Sequence, residues 1–353
     1  MVREERRYDI DWVRVIAIGL LLIYHVAIGF QPWGIMIGFI ANKQPWESLW
    51  IPMAMLNIWR IPLLFFVSGM GVYFAMRKRN WKELLLERAG RLLVPLIFGM
   101  VAIFPISVYI WQLYYNFETT YQPAPGHLWF LGNLFIYVLI LSPLFFFLKR
   151  NENGKVGIGV RKILSHPSGL LIVVVAFIAE VVLVNPRPYE LYAMTWHGFF
   201  LGLLAFLFGF CFALAGRSFT DMIVKRRWVF VALAIVLFAV RVTYFKMNAP
   251  GYFLVIESNC WILSVLAFAS KYLNRPGKVL TYLSQAAYPV YVLHMIFLYL
   301  GSSLIFPLEI PAPVKFILVL LFTVGGCFGG YEVVRRTIVL RPLFGGLRLG
   351  SAR

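Results

Sequence analysis

An all-α fold of about ten membrane-spanning helices is what this sequence predicts, and three observations carry it. Its 353 residues are 61% hydrophobic and only 14% charged, where a soluble domain is about half apolar and a quarter charged. Apolar runs of about twenty residues, the length that crosses a bilayer, recur along the chain. Basic residues crowd into every second connection, the alternation that the positive-inside rule produces in a polytopic protein.

The predicted spans are 13–30, 52–76, 92–115, 128–148, 169–184, 196–215, 228–246, 252–270, 280–300 and 314–334. Between them, residues 1–12, 77–91, 149–167, 216–227, 271–278 and 335–353 hold 26 of the 33 Lys and Arg residues, and the opposite connections hold only Lys43, Arg187 and Lys246. Both termini are therefore expected in the cytoplasm, as an even number of spans requires. The net charge of +18 reads as basic cytoplasmic loops facing membrane lipid or an anionic cytosolic ligand, with no nucleic acid as partner. The first apolar run is as long as a full span and no small-residue cleavage site follows it, so it reads as a helix and not as a cleaved signal. The connection around Lys149 to Pro167 is too short to bury a core, which makes 1–353 a single membrane-embedded domain with a basic tail from about 335.

Cys211, Cys260 and Cys327 lie far apart in apolar stretches and predict packing residues, with neither disulfides nor a metal site. Trp33, Trp46, Trp50, Trp129 and Trp196 near outer ends, with Trp12 and Trp228 near inner ones, read as interfacial anchors. Gly325-Gly326-Cys327-Phe328-Gly329-Gly330 holds two overlapping small-xxx-small pairs, which predict close packing of the last helix.

Ionisable residues inside the spans are costly and mark candidate sites. In the first helix Arg14 sits near the inner start and His25 lies roughly 16 Å further along. Arg14 reads either as a headgroup anchor or as part of a site, and His25 either as a neutral packing residue or as a chemical group. Arg60, Glu180, Arg241, Glu257 and His294 also fall in outer halves, His127 and His197 at outer helix starts. A structural ion-pair network joining Arg60 and Arg241 to Glu180 and Glu257 is one reading of those four residues. Arg88 and Arg91, at i and i+3, would share one helix face, as a topology signal or as two guanidinium forks for a phosphate.

In order along the chain stand Asp11-x-x-Arg14 and, after ten intervening residues, His25, then Arg60-Ile61-Pro62-Leu63-Leu64-Phe65-Phe66-Val67-Ser68-Gly69, Arg88-x-x-Arg91-x-x-x-Pro95, His127-Leu128-Trp129-Phe130-Leu131 and Tyr288-Pro289-Val290-Tyr291-Val292-Leu293-His294. Together they resemble the membrane-bound acyltransferase family 3. The chain looks most like the branch that succinylates periplasmic glucans, which Tyr331-Glu332 before a basic tail also resembles. The resemblance implies an O-acyltransferase of the plasma membrane, in bacteria the inner membrane. Cytosolic acyl-CoA, carrying an acetyl or succinyl group, is then the donor substrate. No permanently bound cofactor is implied, and the acceptor is a hydroxyl of a glycan or similar molecule at the outer face. It gives His25 the role of catalytic base, or of nucleophile through an acyl-imidazole, and Arg14, Arg88 and Arg91 a part in binding acyl-CoA. Glu257 and His294 are the further candidates for orienting His25 or meeting the acceptor. A transporter or flippase using Arg60, Arg241, Glu180 and Glu257 as pathway charges is the rival reading; the chain shows no internal repeat of the kind that marks many transporters.

Overall fold

The computed structural model describes residues 6–77 and 79–346. Arg3, Lys78, Arg348 and Arg353, counted above among the loop and tail cations, lie outside the described residues. The long helices are α1 (Tyr8–Ile28), α2 (Trp50–Ala75), α3 (Trp81–Tyr114), α4 (Trp129–Arg150), α6 (Pro167–Val184), α7 (Trp196–Ala215), α9 (Arg227–Thr243), α10 (Gly251–Tyr272), α11 (Lys278–Ile305) and α12 (Ala312–Arg336), with the short α5 (Lys155–Leu164) and α8 (Arg217–Lys225) between them. Among the described residues there is no strand. Nine of these helices reach 18 residues and are apolar enough to cross a membrane. The 17 residues of α9 fall at the short end of the spanning range. All ten predicted spans thus correspond to helices; the third begins earlier than predicted, at Trp81.

The chain's contacts group into two compact units, each assembled from three stretches of sequence. The first comprises Met1–Ala17, Asn57–Leu86 and Ile136–Leu280, the second Ile18–Leu56, Glu87–Phe135 and Thr281–Arg353.

The first unit is built on aromatic stacking and close backbone contact. Phe145 and Phe210 stack at 3.9 Å, and Phe66 stacks on Phe212 at 5.3 Å. A Cβ on Gly69 would stand 2.0 Å from the Phe206 carbonyl oxygen, and one on Gly209 2.0 Å from that of Phe66. Only glycine at both positions lets α2 and α7 approach this closely. The start of α1 is clasped by Asn274, whose side-chain oxygen accepts from the Tyr8 amide at 2.9 Å. Buried Asp9 is held by Arg7 at 2.7 Å and by the Ser270 hydroxyl at 2.7 Å.

The second unit packs Leu22, Ala286, Val290, Cys327 and Tyr331 into one cluster. The glycine pairs of α12 behave as their spacing predicts at two positions: a Cβ on Gly326 would meet Phe297 at 2.3 Å and one on Gly330 would meet Leu293 at 2.8 Å, both on α11. The three cysteines are free.

Proline explains four tyrosine and serine bonds, to three backbone carbonyls, that are otherwise puzzling. A proline at position i cannot donate to the carbonyl at i−4, so that carbonyl needs another donor inside a membrane. Pro62 vacates Ile58, whose oxygen accepts from the Ser258 hydroxyl at 2.8 Å and from Tyr192 at 3.3 Å. Pro95 vacates Arg91, bonded instead by the Tyr288 hydroxyl at 2.7 Å, and Pro105 vacates Val101, bonded by Tyr121 at 2.9 Å. The last two prolines follow π-helical turns over Ala89–Leu93 and Gly99–Ile103 inside α3, where wider turns absorb the broken ladder.

Candidate active site

A chain of histidines organises the second unit. His25 Nδ1 and His294 Nε2 are 2.8 Å apart, and His294 Nδ1 lies 2.6 Å from the carbonyl oxygen of Tyr291. A carbonyl only accepts, so His294 carries its proton on Nδ1, and in the neutral ring its Nε2 is an acceptor. His25 must then donate through Nδ1–H. Its Nε2 is left as the nitrogen bearing the lone pair, which is the atom a general base needs. One backbone carbonyl on α11 thus fixes the tautomer of a side chain on α1.

His127 completes the cluster. Its ring lies 4.8 Å from that of His294, edge to face. Its Nε2 is 3.2 Å from the Val292 carbonyl, and its own carbonyl accepts from the Tyr291 hydroxyl at 2.6 Å. Nε2 therefore holds the proton, and the buried Nδ1 lone pair has no hydrogen-bond partner among the described residues.

The segment Tyr288 to His294 is the spine of this arrangement. Tyr288 takes the vacated carbonyl of Arg91, Tyr291 ties down the His127 turn, and His294 holds His25. Above His25, Phe39 packs at 5.6 Å between ring centroids and is backed by Tyr299, whose hydroxyl donates to the Gly38 carbonyl at 2.7 Å. Gly38 needs its φ of +82° to turn the chain out of the preceding 3-10 helix. Buried Lys315 fastens the same loop, donating to Asn42 Oδ1 at 3.1 Å and to the Phe306 carbonyl at 2.7 Å.

Arg88 and Arg91 also lie in the second unit, in a different arrangement from the one predicted. The π-turn over Ala89–Leu93 breaks the α-helical register on which the shared-face reading depended. Both arginines converge instead on one carboxylate: Glu87 stands 3.3 Å from Arg88 Nε and 2.8 Å from Arg91 Nε.

The remaining candidates belong to the first unit. Arg14 lies on α1 with its Nη1 3.4 Å from Asp11. Glu257, wholly buried, pairs with the equally buried Arg241 at 3.0 Å, so half of the predicted ion-pair network is present. The other half is different: Glu180 pairs with His197 Nδ1 at 2.9 Å, on a ring flanked by Tyr189 and Tyr192, and not with an arginine. Arg60 is completely buried on α2.

The structure therefore brings together His25 and His294, and separately Arg88 and Arg91. It adds His127, Tyr288, Tyr291 and Lys315, which the sequence reading ranked low or passed over. A signal for Tyr288 was available: Pro95 inside a predicted span vacates a carbonyl, and a tyrosine in another span is a ready donor.

Among the described residues no cluster of His, Cys, Asp and Glu has the makings of a metal site. No curated protein and no solved structure matches the chain. The family model described as an acyltransferase domain matches residues 7–332, nearly the whole chain and all the histidines described above. With nine helices among the described residues long and apolar enough to cross a membrane, the chain belongs to the acyltransferase family 3 of integral membrane proteins.

Proposed function

We propose that this acyltransferase moves an acetyl or succinyl group from cytosolic acyl-CoA to a hydroxyl of a glycan, or of a similar acceptor, at the outer face of the membrane. The observation that carries the reading is the hydrogen-bonded series from the Tyr291 carbonyl through His294 to His25, which leaves His25 Nε2 as the acceptor nitrogen. In the reaction Nε2 removes the proton from the acceptor hydroxyl as its oxygen attacks the thioester carbonyl. The tetrahedral adduct collapses with cleavage of the C–S bond, and the imidazolium returns the proton to the leaving thiolate. His294 stabilises the transient charge, because its Nε2 accepts from the His25 Nδ1–H throughout. Base catalysis of this kind is worth about 10²–10⁴-fold.

At the donor end, Arg88 and Arg91 are suited to the CoA phosphates, and Glu87 gathers the two guanidinium groups in advance. A phosphate binding there competes with that carboxylate. Arg14, near the inner start of α1 in the first unit, is a separate candidate for donor binding.

The test is proteoliposomes with radiolabelled acetyl-CoA or succinyl-CoA enclosed and a glucan acceptor outside. Label is expected on the external glucan with wild-type protein. Label on the glucan only when donor and acceptor share one compartment would overturn the transmembrane reading. Thermal stabilisation by CoA should disappear in the Arg88→Ala/Arg91→Ala double variant; its survival would remove these residues from donor binding.

A further inference from the structure

The inner end of α4, in the first unit, carries a feature the acyl-transfer reading does not use. Pro143, Phe146, Phe147 and Arg150 stand at i, i+3, i+4 and i+7, so they form one stripe on the helix. With Asn151 they line an open groove of about 580 Å³. The stripe continues toward mid-membrane through Ile136 and Ile140, exposed by 40% and 52%. Beyond the groove the exposed face of α4 is therefore apolar toward mid-membrane, and Arg150 stands at the groove's inner end.

That cation is unlike its neighbours. Lys149 is neutralised by Glu152, and the Arg161 guanidinium is bonded to the Glu152 carbonyl and to Asn153. Arg150 is exposed and makes no ion pair among the described residues. Asn151 closes the helix end by donating to the Phe147 carbonyl at 2.9 Å, which keeps the end of the groove in place beside Arg150. The next helix, α5, exposes Val156, Ile158 and Ile163 together with Lys155 and Lys162. Exposed aliphatic side chains interleaved with lysines suit a helix lying at headgroup depth on an anionic leaflet.

We propose that this groove is a binding site for one anionic phospholipid of the inner leaflet, its phosphate on the Arg150 fork and an acyl chain along Phe147, Phe146 and Pro143. Charge complementarity selects the occupant. An acidic lipid neutralises Arg150 and adds attraction from Lys155 and Lys162, whereas a zwitterionic lipid brings a compensating cation of its own. The apolar wall needs a hydrocarbon chain, which a soluble phosphate lacks.

Native mass spectrometry of the full-length protein released from detergent tests the site. Phosphatidylglycerol and phosphatidylcholine with identical chains are the probes. Wild-type protein should retain one phosphatidylglycerol in preference to phosphatidylcholine. Arg150→Gln should weaken that retention about tenfold, the effect of losing a charge-assisted bond. Lys82→Gln, which removes a cation on another helix, should change nothing. Glycerol 3-phosphate, which has the anionic head without the chains, should fail to displace the lipid. Equal retention of the two lipids by wild type, undiminished retention by Arg150→Gln, or displacement by glycerol 3-phosphate would each overturn the proposal. All three readouts are independent of acyl transfer.

Discussion

The two units of this protein treat buried ionisable groups in opposite ways. In the first, acids meet bases: Arg241 with Glu257 at 3.0 Å, His197 with Glu180 at 2.9 Å, Arg7 with Asp9 at 2.7 Å. In the second, His25, His294 and His127 meet one another and backbone carbonyls. A buried charge that has its counter-charge is satisfied, and removing one partner leaves the other stranded. A neutral histidine whose tautomer is dictated by a carbonyl keeps a lone pair ready to take a proton. The first arrangement holds structure; the second is suited to chemistry. Losses of stability and of turnover should accordingly separate between the units.

The largest stability effect is expected at Glu257. Glu257→Gln leaves the buried Arg241 charge without its nearer carboxylate, with Glu190 at 3.9 Å remaining, and should cost up to about 3–5 kcal/mol, read as a lower detergent melting temperature with turnover per folded molecule retained. Replacing both partners with apolar residues should recover most of that stability. A Glu257→Gln protein that melts normally yet fails to turn over would move this pair from structure to chemistry.

His294 is expected to behave in the reverse manner. His294→Ala removes the acceptor for His25 Nδ1–H and should lower kcat about 10²-fold, the equivalent of one hydrogen bond to a charged group. His294→Gln, which restores a side-chain oxygen acceptor, should recover part of the loss. Equal losses in both variants would reduce His294 to a packing residue. Tyr288→Phe is a smaller perturbation. It leaves the Arg91 carbonyl without the donor that Pro95 made necessary and should cost about 1–3 kcal/mol, with CoA affinity falling more than kcat.

The smallest effect is expected outside the membrane. Glu152 accepts from the Tyr73 hydroxyl at 2.5 Å and pairs with Lys149. Burial works to raise its pKa, and the bonds from Lys149 and Tyr73 outweigh it, so the carboxyl lies below its usual range. A carboxylate with a lowered folded-state pKa contributes stability that is fully present above the unfolded value and is lost as pH falls through the folded one. Glu152→Gln should therefore cost about 1 kcal/mol or less at pH 7, and that difference should close below about pH 4. A difference that persists in acid would mean that shape, and not charge, is what Glu152 supplies.

Much of this was legible from the amino-acid sequence, for identifiable reasons. Bilayer thickness imposes a length on every apolar run, so all ten predicted spans fall on helices, nine of them long and apolar enough to cross a membrane and α9, at 17 residues, short of that. Depth made His25 and His294 conspicuous, because an ionisable group in an apolar run is rare. Spacing could not show that they touch, since 269 residues separate them. The Arg88 and Arg91 reading assumed α-helical pitch, and the π-turn before Pro95 altered it. Glu180 was expected to face an arginine because both lie at similar depth, yet its partner is His197, on the following long helix. His127 looked like a helix-start residue and proved to sit against His294.

The claim at the centre of this account is that His25 performs the proton transfer. Its most direct test is acyl transfer from radiolabelled acyl-CoA by His25→Ala, measured beside the melting temperature of the same preparation. A fall of about 10²–10⁴-fold in turnover is expected, with melting close to wild type. Transfer at the wild-type rate by a well-folded His25→Ala protein would contradict it.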